Sequence, residues 1–153
     1  MNTTKTYLTG LAAAAVLERH FATSPALKNI GIQLHRLGHR SAVLHIPPEP
    51  KDANGGIDLG VLLAAMNIAV SLVAFSTVSE PLHWAIKEIG LRRVARERRA
   101  SWVVTAESED LDWNSPGEKT VKVSIAIDVI GGDAEPSFIG ESVVAITERQ
   151  SIQ

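Results

Sequence analysis

Apolar positions recur along this chain with two different periods. Leu8, Leu11, Ala12, Ala15, Val16 and Phe21 fall near one helical face, so the spacing predicts a helix over 6–22. Ser24-Pro25 closes it. Ile30 to Leu37 then alternates, with Ile30, Ile32 and Leu34 on one side and Gln33 and His35 on the other, which predicts a half-buried strand. Ser41 to Ile46 repeats the alternation through Ala42, Leu44 and Ile46, and Gly38-His39 turns the pair into a hairpin. Pro47-Pro48-Glu49-Pro50 stops it, because proline cannot donate to a sheet ladder.

The next stretch, Asn54 to Asn67, runs from a Gly-rich turn into a helix expected over 57–77. That helix is apolar all round, a pattern found in cores and membranes. Leu59 to Phe75 is a 17-residue run without a formal charge, at the lower limit for a membrane span. Asn67 and Ser71 interrupt it and Asp58 stands at its mouth, so a buried central helix is the reading adopted. Ser79-Glu80-Pro81 looks like a second helix start. That helix is expected to reach Arg99, with Leu82, Ile86, Ile89 and Val94 apolar and Lys87, Arg92, Arg93, Arg96, Arg98 and Arg99 basic.

The last third has period two. Strands are expected from Trp102 to Trp113, over 121–129 and from Phe138 to Thr147, with a turn at Asn114-Ser115-Pro116-Gly117 and a loop from Gly131 to Pro136. No repeat or linker divides residues 1–153, which read as a single domain. The order implies an α+β fold: a curved antiparallel sheet wrapped around a long buried central helix, with an extra basic helix.

Composition narrows the chemistry. The chain of 153 residues has no cysteine, which excludes a thiol nucleophile, a disulfide scaffold and a cysteine-based zinc site. A net charge of −2 gives no global attraction to nucleic acid or anionic membrane. Residues 7–17 resemble the apolar part of a signal peptide, but Glu18, Arg19 and His20 follow at once, and the protein is expected in the cytoplasm. No phosphate-binding loop, nucleophile-elbow serine or zinc helix motif is present.

The element order and one motif resemble the hot-dog fold acyl-CoA thioesterases of the 4-hydroxybenzoyl-CoA and phenylacetate-pathway type. Many of those proteins carry an Asn shortly before a His-Gly-Gly at the start of the central helix, and a carboxylate seven residues after the second Gly. Here Asn54 matches the leading Asn, Asp58-Leu59-Gly60 stands where His-Gly-Gly would, and Asn67 lies seven residues after Gly60. Asp112 to Gly117 is similar to the family's polar-aromatic element and Pro-Gly turn, and the resemblance covers about residues 26–148. It implies a thioester carbonyl polarised by the backbone at Gly60 and Val61, an acyl group near Leu63 and Asn67, and contributions from Asn54 and Gly56. Asp58 and Asn67 occupy the catalytic positions. An amide at Asn67 cannot act as a base at neutral pH, so the base is lost or has moved. Asp58 is the nearest substitute, or simply the helix N-cap.

Other residues have two readings each. Asn67 is either a satisfied core amide or a contact across an interface or to a ligand. His35, His39 and His45 line the first hairpin but lack partners at metal spacing, so no metal site is expected. Arg92, Arg96 and Arg99 belong to a run of five arginines in eight residues that either grips coenzyme A phosphates or forms a solvated face. No aromatic is interleaved there to stack bases. Glu107, Glu109, Asp110 and Asp112 are expected to pair with these arginines.

The expectation is therefore an acyl-CoA-binding protein with thioesterase activity, needing no cofactor beyond the coenzyme A of its substrate. It is expected to form a homodimer or a dimer of dimers, because an open sheet leaves edges to pair. The alternative is a catalytically inactive hot-dog interaction or assembly protein. A third reading makes the helices and sheet the scaffold of a phage or structural subunit.

Overall fold

A computed structural model describes residues 15, 17–19, 21–22, 31–38, 40–47, 59–78, 82–94, 102–110, 112–129 and 137–148. Its elements are β1 (Gln33–Gly38), β2 (Ser41–Ile46), α1 (Leu59–Thr77), β3 (Leu82–Arg93), β4 (Trp102–Ser108), β5 (Lys119–Val129) and β6 (Phe138–Glu148). The six strands make one antiparallel sheet in the order β1-β2-β4-β5-β6-β3. Ahead of them, the described residues between 15 and 22 are helical, and Leu17 and Phe21 pack against the core. The remainder of the helix expected over 6–22 lies outside the described residues.

Alternation makes the sheet two-faced. Ala42, Leu44 and Ile46 of β2, Trp102, Val104 and Ala106 of β4, and Val121, Val123, Ile125 and Ile127 of β5 are buried on one side, joined by Phe138, Ser142, Val144 and Ile146 of β6. That side carries α1, whose 19 residues contain no proline and no charge. The helix passes a length-and-composition test for a membrane span, yet most of it is buried within the fold, as in a core helix. Seven consecutive residues, Ile68 to Ala74, are buried, so the middle of α1 is enclosed on every side, while Phe75 near its end is exposed. Its first half is not: Leu59, Gly60, Leu63 and Asn67 are exposed along one stripe.

The basic helix expected over 79–99 is corrected. Residues 82–93 form β3, a 12-residue strand at one sheet edge, paired with β6 from Leu82↔Glu148 to Arg93↔Phe138. Ile86 faces Val144 and Glu88 faces Val143, so Lys87 is an extra residue, a β-bulge. The bulge returns Ile89 and Leu91 to the side already used by Leu82, Trp84 and Ile86. It thereby puts Ile89 three residues after Ile86, which with Leu82 four residues before Ile86 gives the signature of a helix in a segment that is a strand. Ser142 Oγ donates a 2.9 Å bond to the Glu88 carbonyl beside the bulge.

Two turns close the sheet. Gly38 pairs with Ser41 across a two-residue hairpin in which Arg40 takes φ +59°, and the Arg40 guanidinium reaches Asp110 at 2.6 Å. The strand expected to run to Trp113 ends at Ser108, because the chain folds back there and Trp113 Nε1 donates to Ser108 Oγ at 2.7 Å. Asp112 accepts the Asn114 backbone N–H at 2.9 Å, a local bond typical of a turn, and Asn114 Nδ2 reaches the Thr77 carbonyl at the end of α1.

Candidate functional site

The uncovered first turns of α1 border a groove of about 450 Å³. Among the described residues its walls are Leu59 and Leu63 from the helix, Leu91 and Arg93 from β3, and Phe138 from the start of β6. Leu59 and Leu63 are 49% and 41% exposed, unusual for large apolar residues in an otherwise packed core helix. Their i, i+4 spacing aligns them on one side, and Asn67 continues the same line one turn on. Leu63 thus lines the groove beside the helix start. Asn67 is exposed, which removes its reading as a buried core amide.

The opposite wall follows from the bulge in β3. With Leu91 turned toward α1, alternation turns Arg93 the same way and Arg92 away. Arg92 instead borders a second hollow of about 370 Å³ with Gly90, Ile139 and Glu141. The guanidinium carbon of Arg93 stands 5.5 Å from the centroid of the Phe138 ring, a cation–π contact. Phe138 in turn meets Trp102 with centroids 5.8 Å apart and planes tilted by 58°. Both aromatic rings are buried, so Arg93 rests on a fixed platform. Backbone bonds hold the strand end as well: Val94 N donates to the Ser137 carbonyl at 2.9 Å.

Gly60 and Val61 lie in the first turn of α1, Gly60 exposed and Val61 buried. The first turn of a helix carries the positive end of its dipole and favours an anion or a developing oxyanion. Asn54, Gly56, Asp58, Arg96 and Arg99 lie outside the described residues. Within the described residues three members of the acidic group bond locally: Asp110 pairs with Arg40, Glu109 accepts the Lys122 backbone N–H at 3.0 Å, and Asp112 caps its own turn. His45 stands opposite Gln33 rather than His35.

Arg93 is the groove residue that sequence reasoning missed. It was grouped with Arg92 on a helical basic face. The signal for its true direction is the alternation Ile89, Leu91, Arg93 after the bulge.

No protein-family model matches the chain, and no curated protein matches it. Solved structures do. A thioesterase family protein from Silicibacter pomeroyi shares 15% identity, with 90% of this chain and 99% of that one covered and a TM-score of 0.69. A mutant thioesterase from Pseudomonas aeruginosa gives 17% identity over 87% and 94% of the two chains, with a TM-score of 0.68. A thioesterase from Haemophilus influenzae gives 15% identity over 80% and 82%, with a TM-score of 0.67. At such identities the shared property is the fold: a six-stranded antiparallel sheet with a long apolar helix packed on it, consistent with the hot-dog arrangement.

Proposed function

We propose that this protein binds an acyl thioester, with coenzyme A as the carrier, and that it hydrolyses the thioester. The observation that carries this reading is the apolar groove beside the uncovered first turns of α1, in a fold shared with thioesterases. The acyl group lies on Leu59, Leu63 and Leu91. The thioester carbonyl sits at Gly60–Val61, where the helix dipole stabilises negative charge as it develops on oxygen. Asp58, immediately before Leu59, is the nearest carboxylate in sequence and activates the water. Water adds to the carbonyl carbon, the carbon–sulfur bond breaks, and the thiol leaves with a proton as the free acid forms. Asn54 and Gly56 contribute from the preceding turn, and Asn67 orients the substrate through its amide.

The spacing of Asn54, Gly60 and Asn67 supports kinship with the 4-hydroxybenzoyl-CoA and phenylacetate-pathway enzymes. Arg96 and Arg99, which follow β3, are the proposed phosphate contacts, whereas the direction of Arg92 argues against a share in the same site. No cofactor is required beyond the coenzyme A of the substrate. The proposed partner is a second copy of the chain, paired along the 12-residue edge strand β3, since a long open edge is a pairing template. The proposed location is the cytoplasm, with no nucleic-acid or membrane partner.

The test is thiol release from a series of acyl-CoA chain lengths, with calorimetry on the same compounds. Asn67→Asp restores a carboxylate at the exposed position and is expected to raise turnover about a hundredfold. Turnover unchanged by Asp58→Ala and Asn67→Ala together removes both residues from the mechanism, and absence of acyl-CoA binding overturns the whole reading. The amide of Asn67 also favours a second reading, binding without catalysis in an interaction or assembly role. Binding without thiol release identifies that case.

A further inference from the structure

Resting on the reading that a second copy pairs along β3, we propose the register of that pairing: a two-fold axis at Gly90 sets Arg92 of each copy against the partner's Glu88. Among the described residues β3 has β6 on one side and nothing on the other. Val94 N turns toward β6, where it donates to the Ser137 carbonyl. Backbone groups alternate in direction along an antiparallel strand, so Arg92 and Gly90 also turn theirs to β6, while Ile89 and Leu91 aim theirs at the open edge. Side chains alternate as well. Ile89 and Leu91 are half-buried on the side of α1, and Glu88, Gly90 and Arg92 are exposed on the other side. Glu88 and Arg92 therefore flank Gly90 symmetrically, on one face and with opposite charge. Neither has an ion-pair partner among the described residues.

An antiparallel pairing of a strand with its own copy has its axis normal to the sheet, so it opposes residues of the same face. On Gly90, that axis makes Ile89 and the partner's Leu91 a pair that exchanges backbone bonds. It makes Arg92 and the partner's Glu88 a pair without such bonds, where side chains lie closer. Axes on Glu88 or Arg92 oppose like charges. Axes on Ile89 or Leu91 set both charges against uncharged residues. The bulge at Lys87 bounds the ladder, so regular pairing runs from Glu88 to Arg92. On the inner face the partner's Ile89 comes beside Leu91, and the wall of each groove continues onto the other copy.

The chain has no cysteine, and a Cβ on Gly90 would meet nothing within 4 Å, so a thiol placed there reads the register. On the axis it meets its own symmetry mate at a spacing a disulfide can span. Gly90→Cys is expected to form a disulfide-linked dimer under mild oxidation. Glu88→Cys and Arg92→Cys are expected to link only when the two variants are mixed. In sedimentation, Glu88→Arg and Arg92→Glu each weaken self-association about tenfold or more, and an equimolar mixture of the two recovers it, because each then meets its complement. A wild-type dimer whose Gly90→Cys variant stays unlinked overturns the register. Self-linkage of Glu88→Cys or Arg92→Cys overturns it too, moving the axis along β3 with the pairing of copies intact. A mixture of the charge reversals that associates no better than either alone also counts against it. A wild type that sediments as a monomer overturns the register and the pairing together. The cysteine variants carry the test if a charge reversal unfolds the chain, which circular dichroism reports.

Discussion

The buried hydroxyl of Ser142 donates a 2.9 Å hydrogen bond to the carbonyl of Glu88, the residue that follows the extra Lys87 in β3. Ser142 is fully buried, an unusual setting for a polar side chain on the core face of a strand. Its bond secures a carbonyl where the ladder between β3 and β6 slips by one residue. Ser142→Ala is expected to cost about 1 kcal/mol in urea unfolding, with no change in the dependence on urea concentration.

Deletion of Lys87 should leave every other residue of β3 on its present face. Without the extra residue, Ile86, Glu88 and Ile89 alternate regularly opposite Val144, Val143 and Ser142, so Ile89 and Leu91 keep the core side and Arg93 keeps the groove. Lys87→Ala, an exposed change, is expected within about 0.5 kcal/mol of the parent. The deletion is expected to fold with a loss of about 1 kcal/mol, read as a slightly lower urea midpoint.

Two glycines near the groove make a sharp contrast. A Cβ on Gly140 would strike the Gly90 carbonyl oxygen and lie 2.8 Å from Met66 Cε on α1. A Cβ on Gly90 would meet nothing within 4 Å. Gly140→Ala is therefore expected to destabilise by about 1–3 kcal/mol, and trimming Met66 will not rescue it because a backbone atom remains in the way. Gly90→Ala should be neutral or slightly stabilising, since it lowers the entropy of the unfolded chain. Paired thermal melts decide the ordering.

Lys119 organises the turn ahead of β5. Its ammonium reaches Ser115 Oγ at 2.6 Å, the Ser115 carbonyl, and the Asp112 and Trp113 carbonyls at 3.4 Å each. Lys119→Met keeps the apolar stem and removes the donors. The expected loss is about 1.5–3 kcal/mol, together with a change in the near-ultraviolet signal of Trp113, which is buried against this turn.

Much of this architecture was legible in the residue pattern, and the exceptions have physical causes. Regular alternation marked β2, β5 and β6, whose ladders through β4 and with one another run without interruption; the irregular residues lie on β1 and β3. An unbroken apolar run marked α1. The reading of β3 failed because a single bulge turns one spacing of two into a spacing of three, from Ile86 to Ile89, which beside Leu82 mimics a helix, and six basic residues nearby completed the picture of an amphipathic helix. Trp84 and Leu91 were the discordant positions: neither falls where a helix containing Leu82, Ile86 and Ile89 would use it. At the open start of α1, Gly60, Leu63 and Asn67 are exposed, a position that the apolar run and its Gly-rich start already suggested. Arg93 was not, since its direction depends on a register visible only once β6 is laid beside β3.

The order of elements has a consequence for biosynthesis. The enclosed middle of α1 relies on β4, which follows it in the chain, and the sheet is complete only when β6 has been made. At roughly 5–20 residues per second a ribosome needs on the order of several seconds for that remaining stretch. Throughout that interval the 19 uncharged residues from Leu59 to Thr77 are available to any factor that captures emerging greasy segments, the membrane-insertion machinery included. The hazard of this helix thus belongs to the nascent chain, and the speed with which the trailing strands arrive governs how often the fold is reached.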